Sequence, residues 1–158
     1  MPTIHLTTFI EAPQNVVFDL SRHIGLHKIS QQQHKEEAVS GTTSGLIQEG
    51  GSVTWKAKHL FKTRFLTIKI SQMQTPSFFE DVMEKGDFKL FEHEHHFKPA
   101  QNGTIVIDIL RFESPYGVIG KLFNTVYLSR YLKQLIEQRN KTIREYAESK
   151  KWEALLNP

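Results

Sequence analysis

The stretch Val118–Glu148 constrains the fold more than any other part of the chain. At 100° per residue, Val118, Leu122, Thr125, Leu128, Leu132, Leu135, Ile136, Ile143 and Ala147 share one broad face. Arg130, Gln134, Glu137, Lys141, Arg144 and Glu148 lie opposite. Such a helix would be about 45 Å long with a single apolar stripe. It must lie across another apolar surface, and most of the chain before it reads as sheet. Gly117 and Gly120 weaken its first turns, so an irregular start is expected.

Thr3–Ile10 alternates, with Ile4, Leu6, Thr8 and Ile10 on one face of a strand. Pro13 then opens a short helix whose apolar side is Val16, Val17 and Leu20. A second short helix is expected over Ile24–Ser30, followed by a polar loop at Gln31–His34. Glu36–Ser40 reads as a weak strand. Ser52–Leu60 groups Val53, Trp55, Ala57 and His59, and Phe65–Ser71 groups Leu66, Ile68 and Ile70. Ser77–Glu84 is a further strand, and glycines punctuate the turns. The total is about six or seven antiparallel strands with two short helices after the first. The expected class is α+β, one domain over 1–158 in which a curved sheet grips the terminal helix. The tail from Lys150 is expected half ordered, with Trp152 and Leu155 docking.

Within the sheet, Phe91–Phe97 reads Phe-Glu-His-Glu-His-His-Phe. One strand face therefore carries Phe91, His93, His95 and Phe97, and the other Glu92, Glu94 and His96. The first face is aromatic at its ends and titratable in its middle, like a pocket wall. Asn102-Gly103 signals a hairpin into Thr104–Phe112. Pairing Phe97 with Thr104 sets His95 against Val106, His93 against Asp108 and Phe91 against Leu110. That register gives Asp108 a histidine partner, which a buried carboxylate needs. A one-residue slip would instead put Ile105, Ile107 and Ile109 on the histidine face.

Composition narrows the function. The net charge is +3, and Lys and Arg are scattered among acids, which argues against a nucleic-acid surface. There is no cysteine, so neither a disulfide framework nor a cysteine metal site is expected. No signal peptide and no apolar run of membrane-spanning length is visible, and a cytoplasmic location is expected.

Several residues carry a family resemblance. Gly45-Leu46-Ile47, Gly50, Val53, Thr54, Trp55 and His59 are followed by Phe79, Asp81, Met83, Gly86 and Phe88. Phe91, His93, Glu94, His95 and Phe97 then lead to Gly103, Thr104, Asp108, Phe112, Pro115, Gly117 and Gly120. Tyr131, Leu132, Leu135, Arg139 and Asn140 complete the pattern. Together they resemble the SRPBCC superfamily, the helix-grip group of START domains, birch-pollen-allergen-like proteins and polyketide cyclases. The match is nearest a bacterial branch labelled cyclase/dehydrase-like or "cell division" protein. Asp87 and Val106 depart from the branch pattern. The resemblance implies the helix-grip fold and is silent about chemistry.

The expected function is binding of a small hydrophobic molecule, lipid-like or aromatic and polyketide-like, between sheet and helix. The expected lining is Trp55, His59, Phe79, Asp81, Phe91, His93, His95, Phe97, Asp108, Phe112, Leu128, Leu132, Leu135 and Arg139. Two alternatives stand beside it. His93, His95 and Asp108 could run acid–base chemistry in a cyclase or dehydratase. The Ile105, Ile107 and Ile109 row, if outward, could serve a protein partner or a homodimer. Arg139 reads either as a snorkelling side chain or as an inward partner of Asp108, Asp81 or a ligand carboxylate. Two histidines at i and i+2 on a strand can share a metal, with Asp108 or His59 completing the set. With eight histidines in the chain that spacing is weak, and the expectation is no metal and no cofactor.

Overall fold

The computed structural model describes residues 2–114 and 118–157, with the backbone alone over 118–124. The expected irregular start at Gly117, and the side chains of Val118 and Leu122, lie outside the described residues.

Seven strands form one antiparallel sheet: β1 (Thr3–Ile10), β2 (Glu37–Gly41), β3 (Ser52–His59), β4 (Lys62–Gln74), β5 (Phe78–Lys85), β6 (Leu90–Ala100) and β7 (Gly103–Glu113). Their order is β1-β7-β6-β5-β4-β3-β2. The first strand thus pairs with the last, and β2 to β7 follow as a meander. Register shifts between Ala38 and Ser40, and in β4 between Thr67 and Ile68 and between Ile70 and Gln72, act as bulges. Bulges bend a strand and increase its twist, which curves the sheet around its apolar face. That face is the one the alternation selects: Val53, Trp55, Ala57, Ile68 and Ile70 are buried on it.

The connection from β1 to β2 holds helices α1 (Gln14–Ser21) and α2 (Ile24–Ser30). Pro13 precedes α1, and its carbonyl accepts from the Val16 and Val17 amides, so the missing proline N–H is no loss there. His23 caps α2, its Nδ1 accepting from the Leu26 amide at 3.1 Å. Burial lowers the pKa of His23, against a raising hydrogen bond with the Leu155 backbone. The ring is thereby kept neutral and Nδ1 keeps the lone pair the cap requires. The expected loop at Gln31–His34 contains a 3₁₀ turn, Gln32–His34, with Gln31 buried beside it.

Helix α3 (Val118–Glu148) crosses the concave face. Leu128, Leu132, Ile136, Ile143 and Ala147 are buried as the periodicity requires, and so are Arg139 and Asn140. The tail is more regular than expected. It forms α4 (Lys151–Leu156), with Trp152, Leu155 and Leu156 packed on the core. That core divides in two. One cluster joins α1 and α2 to the sheet, centred on Phe18, which meets Phe79 and Phe97 edge-on at 5.7 and 5.3 Å. The other joins Ile4, Leu110 and Phe112 to Leu128, Leu132 and Ile136.

The β6–β7 register corrects the sequence expectation. Phe97 pairs with Val106, His95 with Asp108, His93 with Leu110 and Phe91 with Phe112. The strands run on through Pro99 and Ala100, and Ala100 pairs with Gly103. The turn is therefore only Gln101-Asn102, with Asn102 at φ 66°. At Gly103 a Cβ would stand 2.3 Å from the Ile10 carbonyl oxygen, so β1 approaches too closely for any side chain. A displacement of two residues preserves parity, and His93 and His95 still point inward.

Candidate functional site

The concave face and α3 do not close on each other. Between them lies a cavity of about 550 Å³. Its walls are apolar over most of their extent, with Val53 and Trp55 from β3, Ile68 and Ile70 from β4, and Leu128, Leu132, Leu135 and Ile136 from α3. Phe79 and Phe91 add aromatic surface, and Phe79 stacks on the His95 ring at 4.2 Å. This size falls within the range of small-molecule sites, about 300–1,000 Å³.

At one end of the wall β5, β6 and β7 bring polar groups together. His93 Nε2 donates to Asp108 Oδ1 at 2.9 Å, and His95 Nε2 lies 2.7 Å from Asp81 Oδ2. His95 Nδ1 is 3.2 Å from the same Asp108 oxygen but out of line for a hydrogen bond. The two rings lie 3.8 Å apart. Asp108 is fully buried. Its other oxygen accepts from Asn140 Nδ2 at 2.7 Å, and Arg139 Nη1 stands 3.7 Å from Oδ1. Arg139 is fixed by donating to the Ser21 carbonyl and to Asn140 Oδ1.

These contacts set the charges. Burial would raise the Asp108 carboxyl, but the neighbouring His93 and His95 outweigh it and hold the group well below the usual range. Asp81 shifts down by the same balance, with His95 the main partner opposing burial. His93 is lowered, first by burial and then by the neighbouring His95, despite the hydrogen bond to Asp108.

Trp55, His59, Phe79, Asp81, Phe91, His93, His95, Leu128, Leu132, Leu135 and Arg139 all lie in the cavity wall. Phe97, Asp108 and Phe112 do not, contrary to expectation. They are buried in the layer behind it, where Phe97 packs with Phe18 and Asp108 holds the histidines. Arg139 takes the inward orientation rather than snorkelling. His59 stands elsewhere in the wall, its Nδ1 2.6 Å from the Tyr131 hydroxyl and its ring 4.6 Å from that of His34. The isoleucine row is on the outer face and half buried, paired with His5, Thr7, Phe9, Glu94, His96 and Lys98.

Two participants escaped the sequence reading of the site. Asn140 joins α3 to Asp108 and to Thr8. Its signal was present, since it sits four residues after Ile136 and three before Ile143, a polar side chain on an apolar face. Gln31 lines the cavity with its Oε1 unpartnered, while its Nε2 donates to the Leu135 carbonyl. No local pattern marks that residue, because its burial depends on α3 crossing above it.

No family model matches the chain, and no curated protein matches it. Solved structures do. Protein TTHA0849 from Thermus thermophilus superposes with a TM-score of 0.75 at 20% identity, covering 92% of this chain and 97% of that one. The chain has the START-like helix-grip fold. A START superfamily protein from Mycobacterium smegmatis shares the helix grip at TM-score 0.70 and 11% identity, over 92% and 97% of the two chains. Ginseng major latex-like protein 151 from Panax ginseng does so at 0.67 and 13%, with the same coverage. The SRPBCC resemblance drawn from the sequence thus holds at the level of fold. Among the described residues of this helix-grip chain, no helix is long and apolar enough to cross a membrane.

Proposed function

We propose that the protein binds a small hydrophobic molecule, lipid-like or aromatic and polyketide-like, in the cavity between its sheet and α3. The observation that carries this reading is the cavity of about 550 Å³ with its apolar wall. Burial of ligand surface there supplies affinity at about 25 cal/mol per Å² before the costs of association. The polar groups give orientation. Gln31 Oε1 is a buried acceptor without a donor, and a ligand hydroxyl or amide N–H would satisfy it. The decisive measurement is native mass spectrometry of the purified protein, followed by displacement of a fluorescent apolar probe. A co-purified apolar molecule, lost when Ile136→Trp fills the cavity, supports the reading. A folded protein that binds no member of a lipid and aromatic panel overturns it.

One observation favours a second reading, a cyclase or dehydratase. His93 is a cavity-wall imidazole oriented by a buried carboxylate, the arrangement of a general base. That reading requires turnover of a polyketone that is lost in His93→Asn while binding persists.

A further inference from the structure

We propose that Asp81, His93 and His95 form a binding site for a divalent first-row transition-metal ion at the polar end of the cavity. One ligand atom from each lies within 4.8 Å of the other two, and all three side chains face the cavity. Two imidazoles and one carboxylate suit zinc, iron, cobalt, nickel or copper, and not magnesium or calcium, which take oxygen ligands.

Asp108 sets the ring state of His93. His93 Nε2 is committed to Asp108 Oδ1 at 2.9 Å, so its proton sits there and Nδ1 holds the lone pair. His95 Nε2 is hydrogen-bonded to Asp81 Oδ2 at 2.7 Å, with a proton between the two atoms when no ion is bound. A metal ion takes the place of that proton, the ring proton moving to Nδ1, 3.2 Å from Asp108 Oδ1, with metal bonds of about 2.0–2.2 Å to each. The two atoms must then part by about half an ångström. Asp81, whose side chain is 15% exposed on the cavity side, is the group placed to move.

The layer behind is built as metal sites require. Metal-bound histidines donate their second ring N–H to a carboxylate that fixes ring and tautomer. Asp108 stands in that position for His93 and beside His95 Nδ1 at 3.2 Å, itself held by Asn140 and faced by Arg139. The charges agree. Asp81 and Asp108 are two carboxylates against the single guanidinium of Arg139, leaving one negative charge for a bound cation to offset. Three protein ligands on one side leave the remaining coordination position open to the cavity, where a water or a polar ligand group would sit. The site stands independently of which apolar molecule fills the rest of the cavity.

The test is titration of chelator-stripped protein with Co²⁺, followed by visible absorption, and with Zn²⁺, followed by calorimetry. One ion per chain is expected. Asp81→Asn and His95→Asn should each weaken binding at least about 100-fold, and Asp108→Asn, which positions the ligands, about 10–100-fold. Failure of the wild type to bind a stoichiometric ion overturns the proposal, since a proton then fills the gap. Unchanged affinity in Asp81→Asn, with loss in His34→Asn, also overturns it by locating the ion at the His34–His59 pair. If a variant fails to fold, paramagnetic broadening by Co²⁺ in the wild type decides. Broadening centred on the His93 and His95 ring signals supports the site, and broadening centred on His34 and His59 refutes it.

Discussion

Asn140 on α3 donates a 2.7 Å hydrogen bond to Asp108 on β7, and both side chains are buried. This bond ties the helix to the sheet. Asn140→Ala leaves a buried carboxylate oxygen short of a donor, which costs about 2–3 kcal/mol. Urea unfolding should show that loss, with the slope on denaturant unchanged. A loss below half of it would mean that Asn140 is not what holds Asp108.

Gln31 gives a prediction about ligand choice. The residue lines the cavity, and its buried Oε1 has no donor. A long-chain alcohol should bind more tightly than the alkane of equal length, by about 1–3 kcal/mol. In Gln31→Met that preference should vanish, because the unsatisfied acceptor is gone. Probe displacement with the matched pair on both proteins measures this, and an unchanged preference would place the ligand hydroxyl elsewhere.

Acidification should destabilise the fold through His23 and His59. Burial lowers both pKa values; around His59, Glu36 opposes the shift while His34, Arg64 and His27 add to it. The unfolded chain binds these protons near pH 6.5 and the folded chain only at lower pH. Stability from these groups is therefore complete above about pH 6.5 and declines as pH falls below it. Thermal melts between pH 7.5 and 5.5 should show the decline. His23→Asn keeps a side-chain cap on α2 and should make the decline shallower. Equal slopes in the two proteins would remove His23 from this account.

The β3–β4 hairpin turns through Leu60 and Phe61 at φ 53° and 65°, a left-handed pair suited to Asn-Gly. Each left-handed residue with a Cβ costs about 1–2 kcal/mol. Phe61 is fully exposed and contributes little packing in return. Leu60→Asn with Phe61→Gly should raise stability by about 1–3 kcal/mol, and the melting temperature by about 2–4 °C per kcal/mol. A fall in melting temperature would show that Leu60, which lines the cavity and packs on the core, matters more than the turn.

Periodicity made most of the architecture legible. The α3 stripe and the alternation in β1, β3 and β4 name their own buried faces, because side-chain direction follows from local geometry. The β6–β7 register was not legible, since Pro99 reads as a turn residue and yet continues the strand. The facing of His93 and His95 survived that error only because the displacement was even. What could not be read was Asp81 beside His95, a diagonal contact between neighbouring strands. Asp108 and His59 were the expected partners, and neither adjacency nor spacing singles out Asp81. Gln31 shows the same boundary, because its role arises only once distant segments are superimposed.

The C-terminal end of α3 is fastened in several places. From Arg139 onward the helix is tied by polar bonds to Ser21, Asp108, Thr8, the Phe9 carbonyl and the Glu11 amide. Nearer its start, Tyr131 meets His59 across the cavity and the Leu135 carbonyl accepts from Gln31. The C-terminal end of the helix is thus an anchorage, riveted to β1, β7 and α1 together, and it keeps Asp108 and its histidines in place.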